Sequence, residues 1–306
     1  SSTSSSTGNT GLLVLANDTA DATVSVTGST FTSDSADAFQ VATGAVNTSA
    51  STGIESVTFS DNTATGNGDG AIISPSGSSQ TTITIDGNTI SSTISGNCIG
   101  IDLLNSASTA TLSGTVSGNT VGVAATANSG CGNGVGISTE GIEAANGTFS
   151  GGGTETVAIT SNKFFQYQNE AGIHFLDREG SPTMNMTITG NTIADPGSFG
   201  SWGILGEDGA SGVPPPADSG TVCAAISGNT LTGSAAAGQG GADVELDQNF
   251  ATTIDLPNLG TSTSVSAVES YLASNNTPSG GPAPSTFAIV SGSGGGFVSV
   301  TSCPAP

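Results

Sequence analysis

The stretch that decides the fold is Ile83–Ile90, which reads ITIDGNTI. Apolar and small polar residues alternate along its first half, which is the period of a strand with one buried face. The GNT that follows is typical of a turn, because Gly and Asn accept backbone conformations that other residues avoid. The phrase recurs as VSVTGSTF, VTFSDNTA, GTVSGNTV, VAITSNKF, MTITGNTI and AAISGNTL, beginning at Val24, Val57, Gly114, Val157, Met186 and Ala224.

A second phrase follows the copies of the first after a short gap. Examples are GAII, GIDLL, GISTE, GIHFLD, GILGED and DVELD, beginning at Gly70, Gly100, Gly136, Gly172, Gly203 and Asp243. Two strands repeated at a period of this length indicate a solenoid, whose turns tolerate insertions of variable length. Rungs stacked about 4.8 Å apart complete the backbone hydrogen bonds and place Val and Ile on Val and Ile. We therefore predict an all-β parallel solenoid of about seven rungs.

One turn position carries an amide side chain in every copy except the first, where Ser29 takes its place. The shared residues are Asn62, Asn88, Asn119, Asn162, Asn191 and Asn229. Asn tolerates left-handed backbone, and stacked Asn side chains can bond to their equivalents above and below. We predict a structural ladder at this turn and no catalytic role for these residues.

The charge balance excludes several functions. The chain holds 24 acidic residues against 2 Lys or Arg and 1 His, which gives a formal net charge of −22 at pH 7. Binding to nucleic acid or to anionic lipid needs bases that this chain lacks, and polyanionic sugars such as pectate are poor partners for the same reason. No apolar run of about 18 residues occurs, so we predict no membrane insertion. Ser1 lies in a Ser/Thr tract that is typical of a processed N-terminus.

Four cysteines without CxxC spacing favour disulfides and an oxidising, extracellular location. Cys98 and Cys131 precede equivalent strands in successive copies, so stacking is expected to pair them. Cys223 opens the last copy of the repeat and Cys303 ends the tail, and we predict that this second disulfide holds a C-terminal cap in place.

The pattern changes near the C-terminus. Residues 264–275 carry Val265, Val268, Tyr271 and Leu272 at helical spacing, which predicts a short amphipathic helix. Ser266 and Glu269 have the spacing of a capping box. We expect the β-solenoid to occupy residues 1–260. Residues 261–306 should form a cap of helix, loop and final strands packed on the solenoid.

The N-terminal strand resembles the second phrase of the repeat, so the chain is expected to begin in the middle of a rung. Either upstream sequence is missing or another molecule completes that rung. In the second case a strand edge formed by five residues would bind a neighbouring molecule and give end-to-end assembly. These residues are Gly11, Leu12, Leu13, Val14 and Leu15.

Acidic residues recur just after the second phrase and could form a row if the rungs stack in register. They are Glu140, Asp177, Glu179, Glu207, Asp208 and Asp247, of which Asp177, Glu207, Asp208 and Asp247 are the candidate calcium ligands. A solvated turn is one interpretation. A calcium site is another, and calcium is the one cofactor that the sequence suggests. A third is glycosidase-type catalysis by Asp177 and Asp208, with Trp202 stacking on a sugar ring. Trp202 packed in a turn and His174 in a structural role are the competing interpretations.

The NTI and GNT strands followed by a G-I strand resemble the right-handed parallel β-helix of pectin-lyase-like proteins. The C-terminal region from Cys223 to Pro306, with ISGNTLTG, ADVELDQNFATTIDLPNLG and a GGGFV…CPAP tail, is similar to large uncharacterised bacterial secreted β-helix repeat proteins. Enzymes of the pectin-lyase-like group use Asp clusters with Arg or Lys at a groove. The resemblance therefore implies carbohydrate chemistry, although this chain departs from the lyase pattern in having almost no bases.

Without an assigned catalytic constellation, the sequence favours an extracellular structural protein of the bacterial surface, or a filament subunit that binds copies of itself. The alternative is a carbohydrate-active or carbohydrate-binding β-helix protein. Ice binding would need regular rows of Thr. Such rows occur in TTITI at Thr81 and MTIT at Met186 but not in every copy, so the sequence favours ice binding least.

Overall fold

The structure, a computed structural model, describes most of the chain. The described residues are 3–6, 10–16, 19–33, 37–43, 52–66, 68–92, 99–105, 109–131, 137–140, 153–167, 171–177, 181–197, 202–209, 220–233, 241–249, 251–278, 287–291 and 295–306. Three parallel sheets and one helix account for the regular structure among them.

Sheet A comprises β1 (Thr3–Ser6), β4 (Thr30–Ser33), β7 (Thr63–Gly66), β10 (Thr89–Ser92), β13 (Thr120–Val121), β16 (Lys163–Phe165), β19 (Thr192–Ala194) and β22 (Thr230–Thr232). Sheet B comprises β2 (Leu12–Ala16), β5 (Phe39–Thr43), β8 (Ala71–Ser74), β11 (Ile101–Leu104), β14 (Ile137–Glu140), β17 (Ala171–Asp177), β20 (Trp202–Asp208), β23 (Val244–Gln248) and β25 (Phe287–Ser291). Sheet C comprises β3 (Ala22–Thr27), β6 (Ile54–Ser60), β9 (Gln80–Asp86), β12 (Thr111–Ser117), β15 (Thr154–Thr160), β18 (Thr183–Thr189), β21 (Thr221–Ser227), β24 (Thr253–Pro257) and β26 (Gly296–Val300). The helix is α1 (Val265–Asn275).

The chain visits sheets A, B and C in turn, and each strand pairs in parallel with its equivalents one turn away. This is the architecture of a parallel β-helix. The first phrase of the repeat forms a sheet C strand, a turn and a sheet A strand, while the second phrase forms a sheet B strand. Sheets B and C each have nine strands within the described residues. The stack therefore exceeds the predicted seven or so rungs, because strands at both ends lack the repeated turn.

The interior is filled by one side-chain face of each sheet. Phe39 and Phe59 stack with ring centroids 4.6 Å apart, and Phe31 lies 5.9 Å from Phe59. Gly206 occupies an inward position beside Phe175, and a Cβ atom there would lie 2.1 Å from the Phe175 ring. The missing side chain thus provides the room that the ring fills.

Amide side chains form a continuous ladder at the turn between sheets C and A. In each step Oδ1 of one Asn accepts hydrogen bonds from the backbone N–H and the Nδ2–H of the Asn one rung earlier, at 2.8–3.0 Å. The ladder also includes Asn276, whose Oδ1 accepts from Asn229. The repeat does not mark this residue, because it follows a helix and not a strand. Ser29 opens the ladder by donating its N–H to Asn62.

We expected the left-handed backbone of this turn at Asn, but it belongs to the residue before Asn. The residues of this turn with φ between 55° and 69° are Gly28, Asp61, Gly87, Gly118, Ser161, Gly190 and Gly228. The preceding residue makes the reversal, and the Asn side chain is free to bond along the stack. Gly is frequent there because it has no Cβ to oppose positive φ.

The C-terminal segment continues the solenoid. Helix α1 lies in the chain between β24 of sheet C and the ladder residue Asn276, and Thr277 takes the next sheet A position by forming a parallel bridge with Thr230. Val268 and Leu272 are buried in the core, while Val265 is 41% exposed. Strands β25 and β26 extend sheets B and C.

The start of α1 and the disulfide bonds bear on two predictions made from the sequence. The predicted capping box is wrong, because Ser264 is the N-cap and accepts from the N–H of Ala267, which occupies the third helical position. The predicted disulfide between Cys223 and Cys303 is present, with Cα atoms 5.5 Å apart. Cys131 is also in a disulfide, and Cys98 lies outside the described residues.

Candidate functional site

The candidate site lies on the outer face of sheet B, where β17, β20 and β23 run side by side. Ile204 and Leu246 point into the core, and side chains alternate along a strand. Glu207 on β20 and the two acidic residues that flank Leu246 on β23 therefore face outward. We name five residues of this face the sheet B polar cluster: His174, Trp202, Glu207, Glu245 and Asp247.

Two hydrogen bonds orient the cluster. The Nε2–H group of His174 donates to Oε2 of Glu207 at 2.9 Å, and the indole N–H of Trp202 donates to Oε2 of Glu245 at 2.7 Å. The Glu207 side chain is 19% exposed, whereas His174 is almost completely covered. Each bond joins side chains of two neighbouring strands, so the register of the sheet sets the geometry of the bond.

Asp247 lies in register with Glu207 on the neighbouring strand. Burial, followed by the negative charges of Glu245 and Glu207, raises the pKa of Asp247 from 3.8 to about 7. A carboxyl group with such a pKa still holds a proton near neutral pH and can act as a general acid.

The cluster contains the two carboxyl groups that glycoside hydrolysis requires. Neighbouring strands are about 4.8 Å apart. Glu207 and Asp247 are paired residues on such neighbouring strands, and this backbone spacing is close to the separation of about 5–5.5 Å between the two carboxyl groups of a retaining glycosidase. One group would donate a proton to the leaving oxygen, and the other would attack the sugar or activate water.

The structure does not bring the four predicted acidic residues into one row. Glu207 and Asp247 face outward, whereas Asp177 and Asp208 point inward and are 1% and 0% exposed. Gly220 leaves space for both buried carboxyl groups, because a Cβ there would lie 2.8 Å from Oδ2 of Asp177 and 3.3 Å from Oδ1 of Asp208. Side chains of adjacent residues point to opposite faces of a strand, which the sequence analysis did not apply here.

As arranged in the structure, Asp177 and Asp208 cannot contact a glycan that approaches from solvent. Within the described part of the chain, no group of three or more His, Cys, Asp or Glu side chains is arranged to hold a metal ion.

Sequence reasoning named Trp202, His174, Glu207 and Asp247 separately but missed Glu245. The signal was present in VELD, residues 244–247, where alternation places Glu245 and Asp247 on one face of the strand.

The residues predicted to self-associate lie on and just before β2, at one edge of sheet B. Leu12 and Val14 pack against the core, while Leu13 and Leu15 face outward and are 48% and 51% exposed. Gly11 donates its N–H to the carbonyl of Asp37 in the next rung.

Comparison of the chain with protein-family models, with curated proteins and with solved structures finds no match. No helix in the described ranges has the length and apolar character needed to cross a membrane.

Proposed function

We propose that this chain is an extracellular carbohydrate-active protein whose sheet B polar cluster hydrolyses neutral glycans. The observation that carries the proposal is Asp247, a partly buried carboxyl group with a pKa raised to about 7, in register with Glu207 on the next strand. In this scheme Asp247 protonates the glycosidic oxygen, and Glu207 acts as nucleophile or base. The bond from His174 fixes the orientation of the Glu207 carboxylate.

Substrate class follows from charge and from Trp202. A net charge of −22 repels polyanionic sugars, so the substrate is a neutral polysaccharide. Trp202 is partly exposed, and its bond to Glu245 holds the ring beside the acids, where it can stack on a sugar. The parallel β-helix and the disulfide support an extracellular protein of the pectin-lyase-like group.

The test is a screen of neutral polysaccharides for release of reducing ends. We expect turnover of at least one glycan by the wild type. Asp247→Asn should lower kcat by about 100-fold or more, in line with loss of a general acid. Trp202→Ala should raise KM.

The matched control is Glu269→Gln, which removes a carboxylate from α1, and it should leave turnover unchanged. Failure of the whole panel, or full turnover by Asp247→Asn, would reject the hydrolytic proposal.

A structural role is the second candidate, favoured by the unbroken Asn ladder and by exposed Leu13 and Leu15. In this proposal the chain is a surface or filament subunit that binds copies of itself through the strand at residues 11–15. Light scattering and electron microscopy should then show assemblies that Leu13→Ser with Leu15→Ser disperses. A monomer at high concentration, with and without calcium, would contradict it.

A further inference from the structure

The outer face of sheet C carries an ordered array of hydroxyl groups that the proposed function does not use. Val, Ile and Met side chains of β3, β6, β9, β12, β15 and β18 point into the core, so the alternate residues face outward. Three outward positions from each strand lie in register and form three columns across the sheet. Fifteen of these eighteen positions are Ser or Thr.

We call this array the hydroxyl face. The first column is Thr23, Ser56, Thr82, Ser113, Thr156 and Asn185. The second column is Ser25, Thr58, Thr84, Thr115, Ala158 and Thr187. The third column is Thr27, Ser60, Asp86, Ser117, Thr160 and Thr189. Apart from Asn185, every one of these side chains is partly or fully exposed.

Most of these hydroxyl groups are available to an external ligand. Within the hydroxyl face, Ser117 donates to Asp86 at 2.5 Å and Asn185 donates to Thr156 at 3.1 Å. The other hydroxyls of the face, including those of Thr84 and Thr115, bond to no other side chain or backbone group in the described ranges.

The spacing of the array is regular in two directions. Rungs repeat about every 4.8 Å, and alternate residues along a strand are about 6.6 Å apart. The face therefore measures roughly 24 Å across the six strands and 13 Å along them. The Asn ladder follows each of these strands directly and fixes its register, so the array is rigid before it meets a ligand, which lowers the ordering cost of binding.

The charge and shape of the face indicate which ligand it fits. Asp86 is the one charged side chain in the three columns, although the chain has 24 acidic residues. No aromatic ring faces outward on these six strands, so the face lacks the stacking platform that a sugar chain uses. Each Thr presents a hydroxyl that can bond to a lattice oxygen and a methyl that orders water beside it.

From these observations we infer that sheet C binds the surface of ice, whose oxygens form a flat two-dimensional lattice of similar spacing. The inference concerns a different sheet from the glycan site and does not depend on it. Within a single copy of the repeat, the Thr rows are incomplete. The register shows that Ser and Thr from different copies fill the same columns.

The test measures thermal hysteresis and ice-crystal shape with the purified chain. We expect the wild type to shape ice and to open a hysteresis gap. Thr84→Lys combined with Thr115→Lys, neighbours in the second column, should abolish most of the gap. Gln40→Lys on the outer face of sheet B is the matched control and should retain it. Circular dichroism of all three proteins checks that the fold is intact.

Two results of the ice assay would overturn the inference: a wild type without hysteresis or crystal shaping, or a double variant that keeps the activity of the control. Adsorption of the wild type to crystalline chitin or cellulose in place of ice would overturn it in favour of a polysaccharide surface. The smaller change Thr84→Val keeps the methyl group and removes the hydroxyl, and it should lose only part of the gap.

Discussion

Replacing Asn119 by Ala tests the ladder in the middle of the stack. The Asn119 side chain makes four hydrogen bonds: Oδ1 accepts from the backbone N–H and Nδ2–H of Asn88, and Nδ2 donates to the Ile85 carbonyl and to Asn162. Ala removes all four and leaves the backbone N–H of Asn88, itself 1% exposed, without its acceptor.

The loss of stability in Asn119→Ala follows from these contacts. At about 1 kcal/mol net for each hydrogen bond, the four bonds contribute about 4 kcal/mol to the free energy of unfolding. That is a large share of the 5–15 kcal/mol that is typical of a folded domain. The matched control is Thr115→Ala in the same turn of the solenoid, because this outward hydroxyl bonds to nothing in the described ranges. Its effect should stay within about 0.5 kcal/mol.

Urea unfolding followed by circular dichroism measures both variants. With a slope of about 3 kcal/mol per molar urea, Asn119→Ala should move the midpoint down by more than about 1 M. If Asn119→Ala unfolds within about 0.5 kcal/mol of the wild type, as the control should, the ladder does not stabilise the stack.

Three further predictions concern the cap and the acidic cluster. Cys223→Ser opens a loop of 80 residues and should lower the free energy of unfolding by about 4 kcal/mol, measured by urea unfolding without reductant; an unchanged midpoint would contradict this. Leu272→Ala empties a fully buried site in α1 and should cost about 3 kcal/mol, whereas Ala273→Ser on the exposed side of the helix should cost little. The raised pKa of Asp247 means that the folded state binds its proton more tightly than the unfolded state, so the contribution of Asp247 to the free energy of unfolding is greatest below pH 3.8 and declines as pH rises to about 7. Asp247→Asn should remove its part of that decline, and parallel pH profiles of wild type and variant would refute the assignment.

The parallel β-helix could be predicted because each copy of the repeat has the pattern of the same strand, turn and strand. ITIDGNTI shows a buried face by its alternation and a turn by its Gly-Asn pair. The ladder followed from the constant Asn position. Its last member, Asn276, could not be found by the repeat because α1 precedes it in place of a strand. The positive φ at Gly87 and its equivalents was assigned to the wrong neighbour, since Gly and Asn are both common at left-handed positions.

The candidate site was only half predictable. Recurrent acids after the second phrase were visible, but Glu207 and Asp208 are adjacent and so face opposite sides of β20. A single residue of register decides whether a carboxyl group meets solvent or the core. The burial and repulsion that raise the pKa of Asp247 come from residues on two strands, and only their stacking in three dimensions reveals the effect.

The glycan site depends on the protonation state of Asp247, which carboxyl-carbon NMR measures without knowledge of the substrate. The resonance is assigned by its loss in Asp247→Asn and is then titrated in the intact chain. The account predicts a midpoint at about pH 7, which Glu245→Gln should lower by removing a neighbouring negative charge. A midpoint near the ordinary value of 3.8, unmoved by Glu245→Gln, would contradict the assignment of Asp247 as the proton donor.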